Sequence, residues 1–526
     1  MITITALQEE NNKLSASVTE LTTQVAKMQK LIEYYEYQFK LMKRKQFGSS
    51  SERVMIETPE YRQIGLLGEA GETIKPEYIP EKEEITYTRK KQIGKREEDL
   101  SNLPVERIDH ELPESGRSCP ECGELMHDIG VDVRRELKLI PAKVIVAEHA
   151  AHAYACKTCQ KNNGETTVIK AEAPSPLISG SLASPSLAAH IAVQKYSNGM
   201  PLYRLEKGFI YDGVNISRQT MSNWVIKCSE MYLYGIYQKL KNNLLQESTL
   251  HADETTVQVL HEPNRKAQQK SYEWVYRTGR DAKRQIVIYD YQETREQSHP
   301  RRFLANYRGL LHTDGYQSYH NLPPDIIIIG CWAHVRREWE KLWKSIPKEA
   351  RKDSEAERGL TYINELFDLE RDFKKLTPEE RHKKRIEKSK PIADAFFAWV
   401  ENLGVLPKSP LGKPVTYSLS QRKYLNNVFL DGRTEISNNR CERSVKPFVM
   451  GRKAWLFSNT PAGAVASSVM YSIIETAKEN GLHPYHYLKY LFEVLPDSKV
   501  SCLDDVLPWN ENLPAECKAL VKKIKN

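Results

Sequence analysis

No stretch of this sequence approaches the roughly eighteen consecutive apolar residues a helix needs to cross a bilayer, and the N-terminus lacks a basic start followed by an apolar block. Both absences point to a soluble cytoplasmic protein with no membrane partner. Cysteine is sparse, nine in 526 residues, and the five outside two Cys-x-x-Cys pairs are scattered and uneven. That distribution excludes a disulfide framework and favours reduced thiols holding metal. Neither sign of charge dominates: 77 Lys and Arg oppose 69 Asp and Glu, for a net charge of +8 and a pI of about 8.7. The excess permits a polyanionic partner without demanding one. The chain is too long for a single core, so a modular protein of several folded units is expected.

What is present is concentrated around three acids. Glu442 lies in DGRTEISNNRCERSVKPFVMGRKAWLF, residues 431–457, flanked by Arg440 and Arg443 and followed by Lys446, Arg452 and Lys453. One acid among so many bases suggests a metal ligand that phosphates approach. A plainer alternative is a capping box, Asn439 with Glu442, opening a short helix that Pro447 ends. Asp253 follows Thr249–Ala252, and alternation continues through Thr255, Val257 and Val259, as in a half-buried strand. Asp314 ends the run from Gly309 and precedes the turn residue Gly315. An acid at a strand's end faces a cleft rather than a core.

Further strands are expected at 272–276, 285–291 and 325–330, the last an apolar run read as buried on both faces, with a helix over 301–307. The order becomes three strands, helix, strand, helix, strand, helix, a mixed α/β unit. Charged helical patterns at 355–373 and 391–403 form an α-helical insertion between Asp314 and Glu442. Cys331 and His334 mimic a ligand pair but read as core positions. Helices over 469–480 and 485–492 are expected to cover the core.

These blocks, HADET at Asp253, TDGY at Asp314, CWAHVRR at 331–337, NNRCER at Glu442 and GRKAWLF at 451–457, resemble the Insertion Sequence 66 family of transposases. PLYRLEK from Pro201 and IIETAKENGLHPYHYL at 473–488 extend the likeness over most of the chain. Ser437 and Ala454 depart from the pattern, where an acid and an amide are expected. The resemblance implies a ribonuclease H-like fold of the DDE class, with Asp253, Asp314 and Glu442 catalytic. It implies that the two aspartates bind or bridge two metal ions and that Glu442 completes one shell. It further implies hydrolytic nicking at the ends of a mobile element and transfer of the freed 3′-hydroxyl into target DNA. Arg443, Lys446, Arg452 and Lys453 would position double-stranded DNA of element ends and target, and accessory proteins of the same element are possible partners. Carboxylates suit Mg²⁺ or Mn²⁺, hard ions that hold an in-line displacement at phosphorus.

Upstream, Ile4, Val18, Val25, Ile32 and Phe39 share one heptad position, and Leu7, Leu14, Leu21, Met28, Tyr35 and Met42 another. A two-stranded coiled coil over residues 4–42 follows, giving a homodimer or higher oligomer, with Asn11 fixing register. Cys119, Cys122, Cys156 and Cys159 offer four thiolates, a closed set for structural Zn²⁺, with His149 and His152 as substitutes. Helical patterns at 187–196 and 201–211, a turn at Gly213 and a helix capped by Ser217 that carries Arg218 read as a helix-turn-helix or as plain scaffold. Trp224 and Val225 would face inward.

The expected division is a coiled coil over 1–46, a linker with a basic run over 47–118 and a zinc module over 119–173. A helix-turn-helix region over 186–246 follows. The catalytic core spans 247–335 and 420–460 around an insertion at 336–419, and a helical region closes the chain over 461–526. Two functions of other classes remain: a DNA-binding regulator without catalysis, and a metal-dependent nuclease lacking strand transfer.

Overall fold

The computed structural model describes residues 143–155, 168–497 and 502–518. The expected coiled coil, the basic linker and the four cysteines of the zinc module lie outside them. A short antiparallel pair, β1 (Ala153–Ala155) with β2 (Val168–Lys170), precedes the helices.

α1 (Pro185–Tyr196) starts where its sequence directs: Ser184 Oγ accepts the Leu187 N–H at 3.2 Å, and Pro185 fills a first-turn position whose N–H has no helical partner. α2 (Leu202–Tyr211) ends at Gly213, whose φ of +78° suits a residue without Cβ. Ser217 then caps α3 (Arg218–Cys228) by accepting from the Thr220 N–H at 3.1 Å. Trp224 and Val225 are buried as expected, while Arg218, Gln219 and Asn223 stay on the exposed face. A π-turn at 229–233 leads into α4 (Tyr234–Leu244).

The central sheet comprises β3 (Thr249–Gln258), β4 (Lys270–Thr278), β5 (Val287–Gln292), β6 (Gly309–His312) and β7 (Ile326–Ile329), in the order β5-β4-β3-β6-β7. β3, β4 and β5 form an antiparallel meander, and β6 and β7 add in parallel to β3. α5 (Ser298–Phe303) precedes β6, three residues earlier than its sequence pattern suggested. Only a 3₁₀ turn at 317–319, rather than a helix, joins β6 to β7. β7 is an edge strand, so Ile327 is 40% exposed and the expected burial on both faces fails there.

The opposite edge is covered by α12 (Pro461–Glu479), longer than its expected core. Its small residues approach β5 closely, and Ser472 Oγ and Thr476 Oγ1 accept the Tyr289 and Val287 N–H groups at 2.8 and 3.0 Å. Hydroxyls thus satisfy edge donors that would otherwise be unpaired against a helix. α13 (Pro484–Val494) follows and packs on α1.

After β7 the chain runs through α6 (Trp332–Ser345), α7 (Glu355–Asp372), α8 (Pro378–Lys384), α9 (Lys390–Glu401) and α10 (Gly412–Asn426). Of these, α6, α7, α9 and α10 share a second apolar core around Trp332, Trp339, Phe396 and Phe397. α11 (Asn439–Trp455) returns to the sheet and packs on β3 and β4. Pro447 lies inside it and does not end it. The lost N–H costs one turn bond, but Cys441, Val445 and Phe448 bury a continuous face that holds the helix together.

Candidate active site

Parallel pairing of β3 with β6 sets His251 opposite His312. Two residues further along each chain come Asp253 and Asp314, so the last shared rung of the parallel pair aligns both acids by register alone. Asp314 lies just past its strand, where Gly315 adopts a φ of +89° and Asp314 Oδ1 accepts the Tyr316 N–H at 3.0 Å. The positive φ favours glycine at this turn, where a Cβ would meet only side-chain atoms, Gln421 Oε1 nearest at 2.9 Å. Glu442 arrives from another direction, in the first turn of α11.

The three acids line one pocket of about 290 Å³ together with His334, Arg337, Val445, Lys446 and Val449. Burial first, then the carboxylates of Glu254, Asp314 and Glu442, push the Asp253 carboxyl well above its usual range. Its Oδ1 accepts the Glu254 N–H at 2.8 Å. Arg337 Nη2 stands 3.6 Å from Glu442 Oε2, and His334 Nδ1 stands 3.9 Å from Glu442 Oε1. Neither His334 Nδ1 nor Glu442 Oε1 has a hydrogen-bond partner among the described residues, although both atoms are buried. A cluster of carboxylates that repel one another, with an unpartnered buried oxygen, has the chemistry to hold a divalent cation.

α11 is set in place by a polar layer directly behind the acids. Asn438, the residue before the helix, spends its side chain on β3: Oδ1 lies 2.9 Å from His251 Nδ1, and Nδ2 donates to Ala252 O at 2.8 Å. Its N–H donates to Cys331 Sγ at 3.2 Å. Among the described residues no side chain caps α11, so the capping-box alternative does not hold. His312 Nε2 accepts the Glu435 N–H at 3.1 Å, and Glu435 Oε1 lies 3.2 Å from His251 Nε2 and 2.8 Å from Arg440 Nε. Burial opposes ionisation of Glu435, yet His251, Arg440 and His312 hold its carboxyl well below the usual range.

Cys331 is 3% exposed, a core residue as expected. His334 is not: it lies one turn into α6, on the same face as Arg337, and lines the pocket. Burial and then Arg337 lower its pKa, so the ring is neutral and keeps a lone pair. The Cys331, His334, Arg337 spacing is a sequence signal for this face, since residues three apart share a side of a helix. The roles of His251, His312, Glu435 and Asn438 carried no such signal.

Of the expected DNA contacts, Arg443, Lys446 and Lys453 are exposed along α11, and Arg218 is exposed at the start of α3. Arg452 differs. Its Nη1 donates to Thr255 Oγ1 at 3.1 Å, to Thr256 Oγ1 at 3.0 Å and to Thr256 O, bracing the end of α11 against β3.

Residues 180–466 match the model of the Transposase IS66 family, and residues 472–509 match the IS66 C-terminal element. Residues 117–160 match the zinc-finger binding domain of transposase IS66, and residues 34–108 match a model described as Transposase C of IS166 homeodomain. An uncharacterized protein of Sinorhizobium fredii, y4qI, is 30% identical over 491 residues, covering 90% of this chain and 87% of its own. A second from the same organism, y4jD, is 29% identical over 414 residues, covering 76% and 78%. No helix among the described residues is long and apolar enough to cross a membrane.

Proposed function

Because this chain belongs to the IS66 family of transposases, we propose that it cuts DNA at the ends of an insertion sequence and joins the freed 3′-hydroxyl to target DNA. The observation that carries this reading is the shared pocket of Asp253, Asp314 and Glu442, brought from two parallel strands and a distant helix. The sheet order, an antiparallel meander extended by two parallel strands with acids on the first and after the fourth, supports a ribonuclease H-like core. In that core the helices between β7 and α11 form an insertion.

Asp253, Asp314 and Glu442 would together hold the Mg²⁺ or Mn²⁺ ions, the two aspartates from the sheet and Glu442 from α11. When bound, such ions supply a nucleophile of lowered pKa and neutralise charge on the leaving oxygen. The chain's own residues do the rest. Lys446, on the pocket wall, and Arg443 meet backbone phosphates and fix the scissile bond over the acids. Lys453 and Arg218 extend the DNA track. Cys119, Cys122, Cys156 and Cys159, all within the matched zinc-finger segment, hold structural Zn²⁺. Residues 4–42 pair two copies, and the protein works in the cytoplasm.

The test is cleavage of labelled element ends in vitro. Asp253→Asn, Asp314→Asn and Glu442→Gln each abolish Mg²⁺-dependent cutting while retaining end binding. Normal cutting by any one removes that residue from the set. A nuclease without strand transfer shares every one of these features, and failure to join pre-cut ends to a target plasmid would establish it. A regulator without catalysis has no need of three acids in one pocket.

A further inference from the structure

We infer that His334 is a nitrogen ligand to the cation held by Glu442, which makes that side of the pocket bind Mn²⁺ in preference to Mg²⁺. The inference rests on the metal-dependent reading above and adds a donor of a different chemical class. Its basis is a pair of orphaned atoms. His334 Nδ1 and Glu442 Oε1 are both buried and both without a hydrogen-bond partner among the described residues. They face each other at 3.9 Å, too far to bond directly. Two donors each about 2.1 Å from one ion lie about 3.0–3.8 Å apart at ordinary coordination angles. The observed gap is close to that span.

Cys331 Sγ falls with these two donors within 4.8 Å and completes a possible three-ligand group. Its sulfur is already committed, accepting the Asn438 N–H at 3.2 Å from a 3% exposed side chain. Cys331 therefore anchors the start of α11 and leaves a nitrogen–oxygen pair facing the pocket. The other oxygen of Glu442 leans on Arg337, whose side chain is 47% exposed and free to turn toward a phosphate when a cation takes over its charge. The mixed donor set has a chemical consequence. Mg²⁺ is bound through oxygen and gives up its waters reluctantly, whereas first-row transition ions accept imidazole readily.

Divalent-cation binding by the full-length protein, without DNA, separates the possibilities. Mn²⁺ titrations followed by electron paramagnetic resonance are run on the wild type and on His334→Ala, His334→Gln and Asp253→Asn, with thermal melts to verify folding. We expect both His334 variants to lose about tenfold in Mn²⁺ affinity and to leave Mg²⁺ affinity within about twofold. Electron spin-echo modulation from a coordinated histidine nitrogen is expected in the wild type and absent from both variants. Unchanged Mn²⁺ affinity in folded His334 variants, or no nitrogen modulation in the wild type, overturns the assignment. If Asp253→Asn still weakens Mn²⁺ binding in that case, the acid site stands and only the histidine is removed from it. If Asp253→Asn binds as the wild type does, the metal-dependent reading itself fails, and the inference with it.

Discussion

His251 and His312 stack face to face, ring centroids 4.2 Å apart, each one same-face step behind an acid of the pocket, Asp253 and Asp314. Both rings are fully buried, and through Asn438 and Glu435 they carry the position of the acids on β3 and β6 across to α11. A catalytic carboxylate supplied by a separate element needs such a connection, because small misplacements at a reacting centre cost far more rate than binding.

Asn438→Ala removes that connection. It leaves His251 Nδ1 and Ala252 O without their partners in a buried layer, which costs about 1–3 kcal/mol. Urea denaturation is expected to show that loss. Cleavage should fall by more than DNA binding does, since Glu442 starts its helix one turn beyond the lost contacts. Equal losses in the two assays would leave Asn438 a purely structural residue.

His312 and Glu435 each contribute stability that is lost on acidification. Burial, with the neighbouring His251, lowers the His312 pKa well below its ordinary value, and Glu435 is likewise depressed. In both cases the unfolded chain binds more protons than the folded one. The stabilisation is present above the unfolded pKa and is lost as pH falls through the folded value, beginning below about 6.5 for the histidine. Between pH 8 and pH 5 the melting temperature of the wild type should therefore fall relative to that of His312→Gln, the difference opening below about pH 6.5.

Asp253 has the opposite sign. Its carboxyl is raised by burial and neighbouring acids, so its contribution is favourable at low pH and is lost as pH rises through the folded value. At neutral pH without metal the ionised form destabilises the fold. Asp253→Asn should raise the metal-free melting temperature by a few degrees while abolishing cleavage. Added Mg²⁺ should stabilise the wild type and leave the variant unmoved.

The basic residues of α11 should separate by assay. Arg452→Ala cuts three hydrogen bonds to Thr255 and Thr256 and should lower stability by about 1–3 kcal/mol. Lys446→Ala and Lys453→Ala should leave stability within about 0.5 kcal/mol. Each should weaken DNA binding and reduce the salt dependence of affinity by about one unit of slope. A loss of DNA affinity for Arg452→Ala at unchanged stability would return that residue to the DNA track.

Local pattern alone determined a good deal of this protein. Alternation marked β3, β4 and β5, Ser217 marked a helix start, and the polar ends of short apolar runs marked Asp253 and Asp314. These depend on period and on neighbours along the chain, which any sequence displays. Tertiary structure decided what depends on partners brought from elsewhere. Ile327 looks like core until β7 proves to be the sheet's edge. Pro447 looks like a helix terminus until the buried face of Cys441, Val445 and Phe448 carries α11 past it. Arg452 looks like one more phosphate contact until Thr255 and Thr256 arrive beside it. His334 looks like filler until Glu442 is set 3.9 Å from it. In each case the residue's neighbours along the chain are silent, because the group that assigns its role lies on a strand or helix far away in sequence and meets it only in the folded core.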